Sequence, residues 1–104
     1  MIPKPLRSFI ARLIEVTGDG EVQWKEGADE AYFASQKDAD LHLRYYFDHD
    51  SGESGYSLRI VRGNNDAFFT VTNLEDDYYQ MRNLYSAVSV NAAGGEKIVE
   101  GLFD

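Results

Sequence analysis

The sequence predicts an α+β domain: an N-terminal helix, an antiparallel sheet of about five strands in meander order, and a C-terminal helix or helices packed on one sheet face. Three observations predict it. Apolar spacing is helical before Gly18, becomes alternating after Gly20, and turns helical again after Asn73. Successive strands are joined by short connections rich in Gly, Asn, Asp and Ser, which favours an antiparallel meander. Simple hairpin registers place the apolar strand residues together on one face.

The first helix spans residues 5–17. Leu6, Phe9, Ile10, Leu13 and Ile14 follow the i, i+3, i+4, i+7, i+8 pattern of an amphipathic stripe, with Arg7, Ser8, Arg12 and Glu15 off it. Pro3 and Pro5 suit its entry, because the first turn uses no N–H from them. Gly18 or Gly20 caps its end. Val22 and Trp24 then alternate with Glu21, Gln23 and Lys25, the mark of a strand. A polar loop over 26–30 leads to a second strand over 31–36, and Lys37 to Asp40 forms a turn. Leu41, Leu43, Tyr45 and Phe47 alternate with His42, Arg44, Tyr46 and Asp48, the clearest strand in the chain. A loop over 48–55 follows. Tyr56, Leu58 and Ile60 mark a fourth strand, Gly63 to Asp66 a turn, and residues 67–72 a last strand. Asn73 is the expected N-cap of a helix carrying Met81, Leu84, Tyr85 and Val88. Glu75, Asp76 and Asp77 sit where the helix dipole favours negative charge. Residues 91–95 break that helix, and Ile98, Val99, Leu102 and Phe103 form a short terminal helix or tail.

The register follows from pairing residues across the turns. Phe47 opposite Tyr56 sets Tyr45 against Leu58 and Leu43 against Ile60. Arg62 opposite Ala67 sets Ile60 against Phe69 and Leu58 against Val71. Gln36 opposite Leu41 sets Ala34 against Leu43 and Tyr32 against Tyr45. The apolar face so defined must be covered by the helices. The other face carries Phe33, Arg44, Arg59 and Thr70 in one row, with His42, Val61 and Phe68, then Tyr46, Ser57 and Thr72, in neighbouring rows. Arg44 facing Arg59 is unfavourable on a sheet. It points to a cationic-aromatic surface that receives an acidic or anionic group, with Arg stacking on Phe33 or Tyr46. The predicted interaction surface is therefore Phe33, His42, Arg44, Tyr46, Arg59 and Phe68.

At 104 residues the chain supports one domain, residues 1–104, and one core. Its 18 acidic against 10 basic side chains give a formal charge of −8. That balance opposes generic binding to nucleic acid or an anionic membrane and suits a basic partner. Cysteine is absent, which excludes disulfides and thiolate chemistry and fits a reducing compartment. With no signal-type leader and no long apolar run, a cytoplasmic protein is expected.

No catalytic motif emerges. The only histidines are His42 and His49. Residues 48–53 (Asp-His-Asp-Ser-Gly-Glu) look like a calcium loop only superficially. In an EF-hand count Gly52 falls at position 5 and Arg59 at position 12, where Asx and Glu belong. Gly18-Asp19-Gly20 precedes a strand rather than a helix and is a turn. No nucleophile stands beside a base in any known pattern, so neither an enzyme nor a cofactor is predicted. The doublets Tyr45-Tyr46 and Tyr78-Tyr79 each place one ring inward and one outward.

The layout resembles that of small uncharacterised bacterial proteins often carried by mobile elements. The carrying segments are Leu13-Ile14-Glu15-Val16-Thr17-Gly18-Asp19-Gly20, Glu21-Val22-Gln23-Trp24 and Leu84-Tyr85. This likeness implies no activity. The expected function is a non-catalytic protein-binding module of inhibitor, immunity or regulatory type. The alternatives are a self-associating domain, a homodimer through the outer sheet face, and a small-anion binder using Arg44 and Arg59.

Overall fold

The computed structural model describes residues 1–103. A 3-10 turn, Lys4–Leu6, leads into α1 (Arg7–Gly18). It holds the start of the predicted helix because Leu6 N–H bonds to Pro3 C=O at 2.8 Å while the two prolines donate nothing. The end of α1 is set by Gly20 rather than Gly18. Gly20 takes φ +78°, its N–H reaches Thr17 C=O at 3.2 Å, and Glu21 N–H reaches Val16 C=O at 2.9 Å. These are the paired bonds of a Schellman cap.

Five strands follow in the order β1 (Lys25–Glu26), β2 (Ala31–Gln36), β3 (Ala39–Phe47), β4 (Ser54–Arg62) and β5 (Asn65–Thr72), every neighbour antiparallel. The chain then forms α2 (Tyr78–Ala92) and α3 (Gly95–Val99). The meander and the helix–sheet–helix order are those predicted.

β1 is shorter than expected. Val22 and Trp24 are buried, as alternation demands, yet they do not join the ladder. Their backbone groups are taken elsewhere. Asn91 of α2 accepts Trp24 N–H at 2.8 Å and donates to Val22 C=O at 2.7 Å.

All three predicted registers are displaced by two residues. Leu43 faces Leu58 rather than Ile60, Leu58 faces Phe69 rather than Val71, and Tyr32 faces Leu43 rather than Tyr45. The reason lies in the turns. Gln36 pairs with Ala39 across Lys37-Asp38, and Arg62 with Asn65 across Gly63-Asn64. Each is a two-residue turn whose first central residue lies in the left-handed region, Lys37 at φ +56° and Gly63 at +59°. A shift of two leaves each residue on its own face, so the inner face survives the error.

On that inner face Leu43, Leu58, Phe69 and Val71 meet Met81, Leu84 and Val88 of α2, spaced three and four residues apart. α1 lies beside α2 and adds Ile10 and Leu13 to the same core. Trp24 is 1% exposed, and its indole N–H donates to Thr17 Oγ1 at 3.1 Å.

Asn73 does not cap α2. Its Oδ1 accepts Ser54 N–H, and the helix begins five residues later. Two of the three acids beyond it tie down the start of the chain. Glu75 pairs with the terminal ammonium and accepts Thr72 N–H at 2.7 Å, while Asp77 accepts Ile2 N–H at 2.8 Å and holds the Arg7 guanidinium at 3.1 Å. The hydrogen bond from the ammonium, and then that from Thr72, keep the Glu75 carboxyl below the usual carboxylate range.

Candidate functional site

Because the helices cover one face of the sheet, the side chains of alternate parity on the other face meet no second layer among the described residues. The central row, read across the strands, is Lys25, Phe33, His42, Arg59 and Phe68. Beside it lie Arg44, Ser57 and Thr70, and beyond these Tyr46, Gly55 and Thr72. On the other side lie Ser35, Asp40, Val61 and Asp66.

The predicted surface residues therefore share a face, but in a different arrangement. Arg44 does not oppose Arg59. It stands opposite Ser57, and Arg59 opposite His42 and Phe68. The two-residue displacement removes the like-charge contact. Arg59 is instead occupied: its Nε donates to Asp66 Oδ1 at 3.0 Å, and its NH2 reaches the other carboxylate oxygen. This bidentate bond holds the Asp66 carboxyl below its ordinary range and raises the Arg59 guanidinium. A convergent Arg44–Arg59 anion clamp is not what the register builds.

The other predicted members are individually positioned. His42 stacks edge-on against Phe33, with ring centroids 4.9 Å apart and planes at 90°. The Phe33 ring lies on the Cα of Gly27, where any Cβ would collide with it. Phe33 is still 39% exposed, and Phe68 is 66% exposed. Tyr46 folds across Gly55, where a Cβ would sit 2.6 Å from its hydroxyl oxygen. Burial, and then the charges of Glu53, Glu75 and Asp48, raise the Tyr46 phenol. Ser57 and Thr70 hydroxyls share a 3.2 Å bond, and Ser35 donates to Asp40 at 2.7 Å. Among the described residues Lys25 and Arg44 have no ion-pair partner. In a chain of net charge −8, the face carries three Lys or Arg residues against two acids, Asp40 and Asp66.

The 48–53 segment is a self-bonded hairpin loop. Asp48 N–H meets Glu53 C=O at 2.8 Å, Gly52 N–H meets Asp48 C=O at 2.8 Å, and Asp50 N–H meets the Asp48 carboxylate at 2.9 Å. The last of these bonds holds the Asp48 carboxyl low. No group of three or more metal-ligating side chains forms among the described residues. No described helix is long and apolar enough to cross a membrane.

Two features escaped the sequence reading. Six of the seven tyrosines form one chain of ring contacts: Tyr32, Tyr45, Tyr56 and Tyr85, with Tyr78 and then Tyr79 added through Tyr56. The signal was present, since Tyr45 and Tyr56 share the inner parity and Tyr78 and Tyr85 are seven apart on one helix. Burial drives the Tyr85 phenol up to about 12 and raises Tyr56 and Tyr32 as well. The second feature is a cleft of about 620 Å³ between α1 and the hairpin ends, floored by Leu13, Val22, Leu41 and Ile60 and rimmed by Phe9, Arg12 and Arg62. Its rim cations are engaged, Arg12 by Glu15 and Arg62 by Asp38. Nothing in the spacing marked it, because it arises where α1 packs on α2 rather than on the sheet.

No protein-family model matches the chain, and no curated protein or solved structure matches it either.

Proposed function

We propose that this chain is a non-catalytic protein-binding module whose contact surface is the uncovered sheet face around Phe33, His42, Arg44, Tyr46, Arg59 and Phe68, and that its partner presents an acidic segment there. The observation that carries the reading is the row Lys25–Phe33–His42–Arg59–Phe68 with Arg44 beside it: exposed aromatics together with Lys25 and Arg44, which have no ion-pair partner among the described residues, on one open face of an acidic chain. Phe33 and Phe68 are three inter-strand steps apart, about 14 Å. A segment crossing the strands would set apolar side chains on the two phenyl rings and a carboxylate on Arg44, the residue type suited to bidentate carboxylate recognition. Local charge, not net charge, then selects the partner, so the partner is acidic where it touches this face. Apart from Lys25 and Arg44, polar groups of the face make fixed structural contacts: His42 against Phe33, Ser57 with Thr70, Asp66 with Arg59. None forms a nucleophile–base pair, which supports binding rather than catalysis.

The test compares three immobilised proteins against lysate of the organism that encodes the chain: wild type, Phe33→Ala/Arg44→Glu/Phe68→Ala, and Phe9→Ala at the distant cleft. The expected result is a partner retained by wild type and Phe9→Ala and lost from the triple variant, with capture weakening as salt rises. Equal capture by all three, or capture by none, overturns the proposal. The unfolding midpoint of each variant establishes that it is folded.

A further inference from the structure

The outer edge of β5 carries an inference independent of the face. Alternate residues of an edge strand direct both backbone groups outward. In β5 these are the even-numbered ones, because Thr70 C=O accepts the terminal ammonium at 3.3 Å and Thr72 N–H bonds to Glu75, both outside the sheet. That leaves the N–H and C=O of Asp66 and Phe68, and the N–H of Thr70, without a backbone partner among the described residues. The stretch is long, carries a phenylalanine that is 66% exposed, and has no proline, lysine or bulge of the kind that blunts edges. The opposite edge strand, β1, is only two residues long.

We infer that the β5 edge is a self-association surface, and that a second copy of this chain pairs with it antiparallel to make one continuous ten-stranded sheet. The strand is self-complementary in the register that pairs all three open residues, Asp66, Phe68 and Thr70, with one another. Centred on Phe68, a two-fold pairing sets Phe68 against Phe68 of the second copy and Asp66 against Thr70, with Ala67 against Phe69 on the inner side. The two phenyl rings form a cross-strand aromatic pair. No like charges meet, and each Asp66 carboxylate stays on its own Arg59. Moving the centre two residues toward the hairpin would oppose Asp66 to itself. Thr70 C=O exchanges the ammonium for the N–H of Asp66 of the second copy, and the ammonium keeps Glu75.

Sedimentation from micromolar to millimolar concentration, with amide hydrogen exchange at both ends of the range, tests this. The wild type is expected to dimerise. Exchange at Asp66, Phe68 and Thr70 should slow with concentration, while Ala67 and Phe69, bonded to β4, stay unchanged. Phe68→Ala should weaken the dimer about tenfold through loss of the aromatic pair. Phe68→Pro, tolerated where the N–H faces outward, removes both central hydrogen bonds and should abolish it. Phe33→Ala/Arg44→Glu, which alters the docking face, should leave it intact. A wild type that is monomeric at millimolar concentration, or a folded Phe68→Pro that still dimerises, overturns the inference.

Discussion

Asn91 is a side chain whose removal should cost the fold heavily for its size. It sits in the last turn of α2 and bonds three backbone groups, one in the last turn of α1 and two in the segment joining α1 to β1. It accepts Trp24 N–H at 2.8 Å and donates to Val22 C=O at 2.7 Å and Thr17 C=O at 3.1 Å. Asn91→Ala removes all three bonds. At about 1 kcal/mol each, the loss is about 3 kcal/mol. A domain of this length has a total stability of roughly 5–15 kcal/mol, so the loss is a large share. The thermal midpoint should fall by about 12 °C or more. With a urea slope of about 2 kcal/mol/M, the denaturation midpoint should fall by about 1.5 M. Trp24, the only tryptophan and buried beside the site, reports the transition by fluorescence. Asn91→Asp sharpens the test. The new carboxylate keeps the acceptor for Trp24 but turns an oxygen toward two carbonyls, which favours its protonated form in the folded state. Its folded pKa is thereby raised above the unfolded value of about 3.9. Relative to wild type, this variant should be most stable below that value and lose stability as pH rises through the raised pKa. A loss below about 1 kcal/mol for Asn91→Ala, with a pH-independent Asn91→Asp, would show that water replaces the amide and would refute the reasoning.

Two further outcomes are expected. Asp29 and Glu30 both take positive φ, at 55° and 63°, and Ala31 N–H closes onto Ala28 C=O at 3.2 Å, the geometry of a type I′ turn. The left-handed conformation costs a non-glycine residue about 1–2 kcal/mol, partly offset by the backbone entropy of glycine, so Glu30→Gly should stabilise by up to about 1 kcal/mol in urea denaturation. A destabilised Glu30→Gly would mean that its side chain contributes more than its backbone strain removes. On the alkaline side, burial raises Tyr85 to about 12 and raises Tyr56 further, while both titrate near 10 when unfolded. Raised pKa values mean full stability below about pH 10 and progressive loss as pH climbs toward 12. Phenolate absorbance should therefore appear together with loss of the Trp24 signal. Phenolate formation well before unfolding would place those rings in water.

Much of the fold was legible in the residues because helix and strand periods are local quantities. Leu41, Leu43 and Tyr45 alternate whatever they pair with, and Met81, Leu84 and Val88 share a helix face before any sheet exists. Parity also survived an incorrect register. Phe33, His42, Arg44, Tyr46, Arg59 and Phe68 were assigned to one face, and they share it. Their neighbours were not legible, because a two-residue turn and a four-residue turn give the same parity and different partners. The 48–53 loop, two residues shorter than expected, dissolved the Arg44–Arg59 contact, and the two-residue turn at Gly63-Asn64 gave Arg59 to Asp66. Locally the acidic run at 75–77 has the look of dipole partners, since nothing near it in sequence says that Ile2 and Arg7 return to it from the far end of the chain.

Composition and periodicity alone settle the α+β layout, the cysteine-free acidic surface and the sorting of side chains between two sheet faces. These properties depend on each residue and its near neighbours. Tertiary packing decides which cation is engaged and which is open, why β1 stops at two residues, and where the tyrosines gather. Asn91 shows the reason. In sequence it is a helix-breaking residue before two glycines. In the fold it completes the hydrogen bonding of a segment 67 to 74 positions away, a long-range demand that no local pattern encodes.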